Sequence, residues 1–180
     1  MPFFAQTIAE SSAHSWDARA RPFVIVHATN HPGIEGTAHI LAAIERLRAR
    51  GFRIDFKFFT AARHQEVLDA LQTADLAIGK LKMGYYANAQ IESMATGVPT
   101  MTWVRDGFMT PQLQASGFIF TSLDTFESTI EYYVTNPQAL AEKRAAARAS
   151  ILALHDNAAI SRRYAEVYAR VIAADSSSGG

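Results

Sequence analysis

The stretch Phe23-Val24-Ile25-Val26-His27-Ala28 decides the fold, together with the polar segment Thr29–Gly36 that follows it. A short continuous run of apolar, mostly β-branched residues is typical of a strand that is buried on both faces, as in a parallel sheet. The next segment contains a proline and two glycines, and helical spacing of apolar residues begins at Ile40. A buried strand, a loop and an amphipathic helix form the first half of a βαβ unit.

Segments of the same two kinds alternate through the rest of the chain. Apolar runs predict four further strands, at residues 53–59, 75–79, 98–104 and 117–120. Helical spacing predicts helices between them and three more after the last strand, the second from Pro137 to Leu154 and the third from Asn157 to Ala173. The predicted fold class is therefore α/β: a doubly wound, mostly parallel Rossmann-like sheet flanked by helices, with C-terminal helices.

The chain divides into three segments by composition. Residues 1–21 are polar with scattered aromatics and lack a sustained period, which predicts an N-terminal arm or linker. Residues 22–174 hold the alternating pattern and form the predicted domain. Within it, Asp124 and Glu127 form a D-x-x-E pattern, close to a capping box, that predicts a helix start. Residues 175–180 are rich in serine and glycine and predict a flexible tail.

The composition excludes several classes of site. The 180 residues include 17 basic and 17 acidic side chains, and this balance argues against a nucleic-acid partner. There is no cysteine, which excludes disulfides, thiolate zinc sites, thiol nucleophiles and iron–sulfur clusters. No targeting segment and no run of about 18 apolar residues is present, so we expect a cytoplasmic chain without a membrane span.

The loops that follow the strands contain the candidate binding residues. Ligands of doubly wound sheets bind outside the carboxyl ends of the strands. This rule selects the segments 29–37, 60–63, 80–92 and 105–108. In the first of them, Gly33 and Gly36 lie beside a helix N-terminus, where unpaired N–H groups and the helix dipole favour a phosphate. The alternative interpretation is an ordinary turn, since the spacing is not the dinucleotide fingerprint G-x-G-x-x-G.

A second pattern lies on the helix predicted near residues 87–96. Asn88 and Glu92 are four residues apart and so share one face of that helix. A carboxylate in such a place can accept two hydrogen bonds from vicinal hydroxyls, as on a ribose. The alternative is a partly exposed glutamate with partners on the helix surface.

Two separated segments resemble one protein family. Residues 74–100, ADLAIGKLKMGYYANAQIESMATGVPT, resemble the nucleotide-binding segment of group 1 retaining glycosyltransferases, which have the two-domain GT-B architecture. The matching residues there are Tyr86, Glu92, Met94, Ala95, Gly97 and Pro99. The opening of one branch of the family is similar to His27, Ala28, Asn30, His31, Gly36 and Thr37. The resemblance covers roughly residues 22–173, in the family's order, and is to the C-terminal, donor-binding domain.

The resemblance implies a function for the predicted cleft. The family transfers a sugar from a nucleotide diphosphate-sugar, a co-substrate, and neither a metal nor another cofactor is expected. Glu92 would bind the ribose hydroxyls, and the loop Asn30–Thr37 would contact the diphosphate. The acceptor would be held by a separate or missing N-terminal domain, so this half of a GT-B enzyme is not expected to be active alone.

The predicted donor site collects residues from four loops, and it includes no catalytic residue and no metal ligand. Its members are Asn30, His31, Gly33, Gly36, Thr37, Lys80, Lys82, Gly84, Tyr86, Asn88, Glu92 and Arg105.

Two positions depart from the family pattern. Glu35 stands where the family has a phosphate-binding lysine, and a carboxylate there repels a diphosphate. Gly84 stands where the family has the first of two paired glutamates. Lys80, Lys82 and Arg105 either supply the positive charge instead or are solvated surface residues.

These departures leave a second hypothesis open. The chain is then a degenerate, non-catalytic domain that acts as a nucleotide- or protein-binding module. The last predicted helix has an apolar stripe of Ile160, Tyr164, Val167 and Val171, which either folds onto its own domain or forms an interface with an N-terminal half or another protein. A flavodoxin-like regulatory domain ranks last, because acidic residues are lacking at the end of the first strand.

Overall fold

The computed structural model describes residues 5–11, 17 and 20–177. One sheet contains the strands β1 (Phe23–Ala28), β2 (Ile54–Phe59), β3 (Leu76–Ile78), β4 (Thr100–Thr102) and β5 (Ile119–Phe120). Their order is β2-β1-β3-β4-β5, and every pair of neighbours is parallel. The predicted parallel, doubly wound sheet is therefore confirmed.

Helices connect the strands and follow the last one. In chain order they are α1 (Pro32–Glu35), α2 (Thr37–Ala49), α3 (His64–Leu71), α4 (Asn88–Ala95), α5 (Pro111–Gln114), α6 (Phe126–Thr135), α7 (Pro137–Leu154) and α8 (Asn157–Ser177). Short 3-10 turns lie at Ala5–Thr7 and Asp106–Phe108. The sequence placed most of these helices to within a few residues, because their apolar spacing and terminal glycines mark them clearly.

β1 lies at the centre of the core, and it is buried on both faces as its composition predicted. Phe23 and Ile25 point toward α2 and α6, where Ile40 and Ile130 are fully buried. The residues between them, such as Val24, face the opposite layer, which includes α3. Two apolar layers on one strand are the arrangement expected of a parallel sheet covered by helices on both sides.

The start of α6 differs from the prediction. The helix begins at Phe126, and Thr125 rather than Asp124 precedes it as the N-cap. Glu127 does not close a capping box; its carboxylate accepts a hydrogen bond from Arg46 Nε at 2.8 Å and so links α6 to α2. The D-x-x-E pattern assigned Glu127 to a helix cap, but in the structure this residue forms an ion pair between α6 and α2.

The described part of the N-terminal segment packs against the domain. Ala5 is fully buried, and the Ser11 N–H donates to the carbonyl of Thr96 at 2.9 Å. Arg148 of α7 donates to the carbonyl of Ile8 at 2.9 Å. These contacts hold residues 5–11 of the predicted arm or linker against the domain, while residues 1–4, 12–16 and 18–19 lie outside the described residues.

A buried carboxylate joins the amino ends of β1 and β3. Asp75 accepts two hydrogen bonds from Arg21, at 2.5 and 2.7 Å, and a third from the Val24 N–H at 2.8 Å. Beside it, Arg144 of α7 donates to the carbonyl of Ala74 at 2.7 Å. A carboxylate that is 1% exposed needs such partners, because burial of an unpaired charge is costly.

The edge strand β5 is short, and a lysine binds a backbone carbonyl beside it. β5 has only two residues, and Lys143 of α7 donates from Nζ to the carbonyl of Phe118 at 2.9 Å. Gly117 comes just before, where α7 passes so closely that a Cβ would lie 2.6 Å from Ala147 Cα. The start of this edge strand therefore requires glycine.

The last helix, α8, is long and exposed. It continues to Ser177, so residues 175–177 of the predicted tail are helical, and residues 178–180 lie outside the described residues. The predicted stripe faces solvent: Tyr164 is 61% and Val171 is 62% exposed. Within the part of the chain that the structure describes, Tyr164, Val167 and Val171 of the stripe are therefore not covered by the domain. Among the described helices, none has the length and hydropathy needed to cross a membrane.

Substitution of Gly117 by alanine should destabilise the fold. The added methyl group meets the backbone of Ala147 at 2.6–2.7 Å, and backbone atoms of a packed helix cannot move aside cheaply. We expect a loss of about 2 kcal/mol in the free energy of unfolding, measured by urea denaturation. Gly107→Ala is the control, because nothing lies within 4 Å of its Cβ position. Equal stability of both variants would contradict this packing.

The exposed face of α8 should contribute little to folding stability. Val167 is 45% exposed, whereas Ile151 of α7 is fully buried. We expect Val167→Ser to change the free energy of unfolding by less than about 0.5 kcal/mol and Ile151→Ala to lower it by about 3 kcal/mol. Comparable losses in urea titrations of the two variants would show that the α8 face is already used within the domain.

Candidate functional site

A cleft lies at the carboxyl edge of the sheet, where the strand order reverses. The chain passes from β1 to β2 on one side and returns to β3 on the other, so the connections leave a crevice beyond β1 and β3. The cleft has a volume of about 420 Å³. Its walls are Ala28, Thr29, Asn30, His31, Glu35, Ala62, His64, Val67, Lys80, Ala87, Asn88, Ala89 and Glu92.

The first wall is the turn between β1 and α2. Thr29 Oγ1 accepts a hydrogen bond from the His31 N–H at 2.9 Å, which folds the chain back toward the sheet. Pro32 begins the single turn of α1, and Gly36 joins it to α2 at a φ of +100°. This left-handed conformation favours glycine and leaves the N-terminus of α2 without a side-chain cap. Asn30 and His31 are exposed on the cleft surface of this turn.

Glu35 and Lys80 form an ion pair in the cleft. Lys80 Nζ lies 3.0 Å from Glu35 Oε1, and the side chains are 20% and 6% exposed, respectively. The sequence predicted a repulsive carboxylate at Glu35 and left the role of Lys80 open; in the structure Lys80, which follows β3, reaches across to Glu35. The positive charge predicted for Lys80 is consequently offset by its neighbour.

The opposite wall is the N-terminal half of α4, with Asn88 and Glu92 on its cleft-facing side. The Glu92 side chain is 15% exposed, and Oε1 lies 3.1 Å from His64 Nε2 at the start of α3. Burial raises the pKa of the Glu92 carboxyl, and the charge of protonated His64 partly opposes this shift. The cleft thus contains one half-buried carboxylate with an imidazole beside it.

The close packing of α4 on the sheet explains why Gly79, directly after β3, is a glycine. Gln90, on the sheet-facing side of α4, is 1% exposed, and its Oε1 accepts the Ala87 N–H at 3.1 Å. Its side chain lies across Gly79, where a Cβ would be 2.3 Å from Gln90 Cγ. The close approach brings α4 down onto the sheet and sets the depth of the cleft.

Thr37 lies beneath the first wall rather than in the cleft. His27 is fully buried, and its Nδ1 is 2.9 Å from the carbonyl of Ile78. A carbonyl only accepts, so Nδ1–H donates to it, and Nε2 then accepts from the Thr37 hydroxyl at 2.9 Å. Burial lowers the pKa of His27, which favours this neutral ring. The hydroxyl of Thr37 therefore holds α2 against the sheet.

Gly84 and Arg105 lie together, away from the walls of the cleft. Gly84 has a φ of +76°, and a Cβ on it would lie 3.1 Å from Arg105 Nε and 3.3 Å from Trp103 Cζ3. The Arg105 N–H donates to the Gly84 carbonyl at 3.0 Å. The backbone conformation and the crowding both disfavour a side chain at this position.

Three more predicted residues lie at the margin or elsewhere. Tyr86 donates or accepts a hydrogen bond with His155 Nε2 at 3.2 Å and packs on Phe118, and burial raises the pKa of its hydroxyl. Lys82 is exposed, and its Cγ would lie 3.6 Å from a Cβ on Gly36. Gly33 is exposed within α1 and has open space around it.

The structure thus brings five of the predicted residues together on the walls of the cleft: Asn30, His31, Lys80, Asn88 and Glu92. The predicted residues that do not line it are Gly33, Gly36, Thr37, Lys82, Gly84, Tyr86 and Arg105. His64 was missed, since only the β2–β3 crossover, which contains α3, places the start of that helix beside α4. Among the described residues, no group of three or more histidine and acidic side chains could hold a metal ion.

Titration of Glu92 tests this geometry. We expect the pKa of Glu92 to lie above its usual range, because burial disfavours the charged form. In His64→Gln it should rise further, because the stabilising imidazolium is lost. The carboxyl ¹³C shift against pH measures both values. Glu127 is the internal reference, since Arg46 holds its pKa below the usual range. A Glu92 that titrates below Glu127, or falls in His64→Gln, would contradict the described pair.

The fold is similar to that of solved transferase structures. A point mutant of S. aureus TarM, in complex with UDP, fondaparinux and α-GlcNAc-glycerol, has a TM-score of 0.68 and 12% identity, over 90% of this chain and 38% of that one. Anabaena HepE in complex with UDP-glucose has a TM-score of 0.61 and 14% identity, over 84% of this chain and 50% of that one. The chain therefore spans half or less of these two proteins.

One similar structure is a single domain, and the match covers nearly all of it. The C-terminal domain of a group 1 family glycosyl transferase, LpcC from Francisella tularensis, has a TM-score of 0.55 and 10% identity, over 83% of this chain and 96% of that one. No protein-family model and no curated protein matches the chain. At these identities the similarity is one of fold. The chain has the fold of the C-terminal domain of a group 1 glycosyltransferase, one Rossmann-like half of the GT-B architecture.

Proposed function

We propose that this chain is the donor-nucleotide domain of a group 1-like glycosyltransferase. It binds a nucleotide diphosphate-sugar, whose sugar is transferred to an acceptor held by a separate N-terminal half. The observation that supports this proposal best is Glu92, a half-buried carboxylate on the wall of a cleft at the switch point of the sheet.

Glu92 is suited to the two hydroxyls of a ribose. Its Oε1 meets His64, and Oε2 has no hydrogen-bond partner among the described residues. A carboxylate accepts several hydrogen bonds, so a vicinal diol can bind both oxygens while His64 stays in place. Asn88, one helical turn earlier on the same wall, offers an amide to the same ligand.

The N-terminus of α2 is suited to the phosphates. α2 has 13 residues and no side-chain cap at Gly36, so its N-terminus favours an anion by its N–H groups and helix dipole. Lys82 lies beside Gly36 and adds a positive charge there.

Ligands and domain sizes of the similar structures support the same proposal. The TarM structure contains UDP, and the HepE structure contains UDP-glucose. The chain spans half or less of either protein, so the remaining half of each has no counterpart within it. On this basis the chain binds the donor but needs an acceptor-binding half for turnover.

Thermal unfolding with a nucleotide panel tests donor binding. The panel consists of UDP, GDP, ADP, CMP and their sugar conjugates. A ligand at 100 times its dissociation constant stabilises the fold by ~2.7 kcal/mol, which raises Tm by several degrees. We expect such a shift for one nucleotide and its loss in Glu92→Gln. Glu166→Gln is the matched control, because Glu166 is an exposed carboxylate of α8.

The panel also contains the result that would refute the proposal. No shift for any nucleotide, in a chain with intact secondary structure by circular dichroism, excludes a donor site. A shift that persists in Glu92→Gln places the nucleotide elsewhere on the domain.

A non-catalytic binding module is the second candidate, and two observations favour it. Glu35 neutralises Lys80 in the cleft, and the crowded Gly84 carries no carboxylate for a donor sugar. The exposed apolar face of α8 would then bind the partner, either the N-terminal half or another protein. A flat nucleotide panel together with a folded chain is the outcome that supports this candidate.

A further inference from the structure

The ion pair between Glu35 and Lys80 controls the charge of the cleft. Lys80 is the only lysine or arginine among the described residues that line it. Its ammonium lies 3.0 Å from the Glu35 carboxylate, and both side chains are largely buried. A ligand phosphate that enters the cleft therefore meets an ammonium whose charge is already offset.

The pair is built into the fold rather than formed by a mobile surface contact. Glu35 is the last residue of α1 and is 4% exposed. Its backbone carbonyl accepts a hydrogen bond from the Leu81 N–H at 3.1 Å, next to Lys80 in the chain. One backbone bond and one ion pair thus join the turn after β1 to the segment after β3. If Lys80 moved away, the Glu35 carboxylate would remain buried without a partner for its charge, which is costly.

The remaining charges of the cleft do not restore a positive site. Glu92, on the opposite wall, is a second carboxylate, and its neighbour His64 is 65% exposed. With neutral imidazoles, the two carboxylates and one ammonium give these walls a net negative charge. Each additional negative charge on a ligand therefore lowers its affinity for the cleft, because like charges repel.

We propose that Glu35 is a specificity-determining residue that selects ligands of the cleft by their phosphate charge. By holding Lys80, it makes the cleft accept a nucleotide sugar in preference to the more highly charged free nucleoside diphosphate. This inference rests on the proposed function, whose ligand class it narrows.

The charge difference between the two ligands is a matter of phosphate chemistry. The terminal phosphate of a free nucleoside diphosphate loses a second proton with a pKa of about 6. In the sugar ester that oxygen is bonded to carbon and has no proton to lose, so the ester carries one negative charge less at neutral pH. For a transferase the ester is the substrate and the free diphosphate is the product. Selection by charge therefore favours substrate over product in one pocket.

Calorimetric titrations of charge variants test the inference. The ligands are uridine, UDP-glucose and UDP, with the adenosine and guanosine series run alongside. The proteins are the native chain, Glu35→Gln, Lys80→Met and the double variant. We expect the native chain to bind UDP no more tightly than UDP-glucose. Glu35→Gln should bind UDP about tenfold more tightly, as one unit charge several ångströms away implies, with uridine unchanged within about twofold.

The double variant and a remote control complete the design. Lys80→Met should weaken UDP relative to uridine, because Glu35 is then unpaired. Glu35→Gln/Lys80→Met removes both charges and should return the ratio of UDP to UDP-glucose affinity to near the native value. It also keeps the test available should Glu35→Gln fail to fold. Glu127→Gln, which removes an ion-paired carboxylate far from the cleft, should leave all affinities unchanged.

Specific results overturn the inference and separate it from the proposed function. A native chain that binds UDP more tightly than UDP-glucose, or a ratio that Glu35→Gln leaves unchanged, excludes charge selection by Glu35. Inorganic pyrophosphate is the probe that needs no nucleoside site. If pyrophosphate binds Glu35→Gln but not the native chain while no nucleoside binds either, the donor function fails and charge selection stands. If neither pyrophosphate nor a nucleoside binds any variant, both are refuted.

Discussion

β1 is hydrogen-bonded along both of its edges, to β2 on one side and to β3 on the other. Because all three strands are parallel, their carboxyl ends meet at one edge of the sheet, and the loops that leave them diverge to opposite faces. The cleft is the space that this divergence leaves. Its walls belong to elements that are distant in the chain, so the site exists only when the sheet is complete. His27 strengthens the junction, because its ring bridges β3 and α2 beneath the cleft.

Paired charges occur at both ends of this central unit. At the amino edge, Asp75 binds Arg21 and the Val24 N–H; at the carboxyl edge, Glu35 binds Lys80. Each pair places a carboxylate where it is almost fully buried, and each joins segments that flank β1 and β3. The pair at the amino edge lies where no ligand is expected, whereas the pair at the carboxyl edge occupies the place where a phosphate would bind. An ion pair with a buried carboxylate thus joins neighbouring strands at both edges, and we propose a role in ligand choice only for the pair at the carboxyl edge.

Much of the fold could be predicted from the sequence, and the reason is local. β1 is a continuous apolar run, and helices such as α4 end at glycine, so period and punctuation suffice. The partners of particular side chains could not be predicted in this way. Glu127 pairs with Arg46 of α2 rather than capping its own helix. The segment at residues 5–11 packs through hydrogen bonds of its backbone, which leave no pattern in the sequence.

In the site too, local sequence spacing predicted where residues lie, but contacts between distant segments could not be predicted. Asn88 and Glu92 reach one wall because helical spacing alone puts them there. The identity of Glu35 was visible, but its pairing with Lys80 depends on β3 lying next to β1, which is a property of the whole sheet. Thr37 and Tyr86 have the expected types at the expected positions, yet their hydroxyls are engaged by His27 and His155. A motif fixes where a residue stands in the chain but not what it touches.

The two edges of the sheet have unequal consequences for contact with other chains. An open edge presents unpaired N–H and C=O groups to which a foreign strand can add, and proteins limit this with short strands and lysines. β5 uses both means, since it has two residues and Lys143 occupies the carbonyl that precedes it. β2 is six residues long and relies on Asp55 and Lys57 along its length. A β-strand from outside would thus find β2 the more open edge, and at β5 it would first have to displace a lysine.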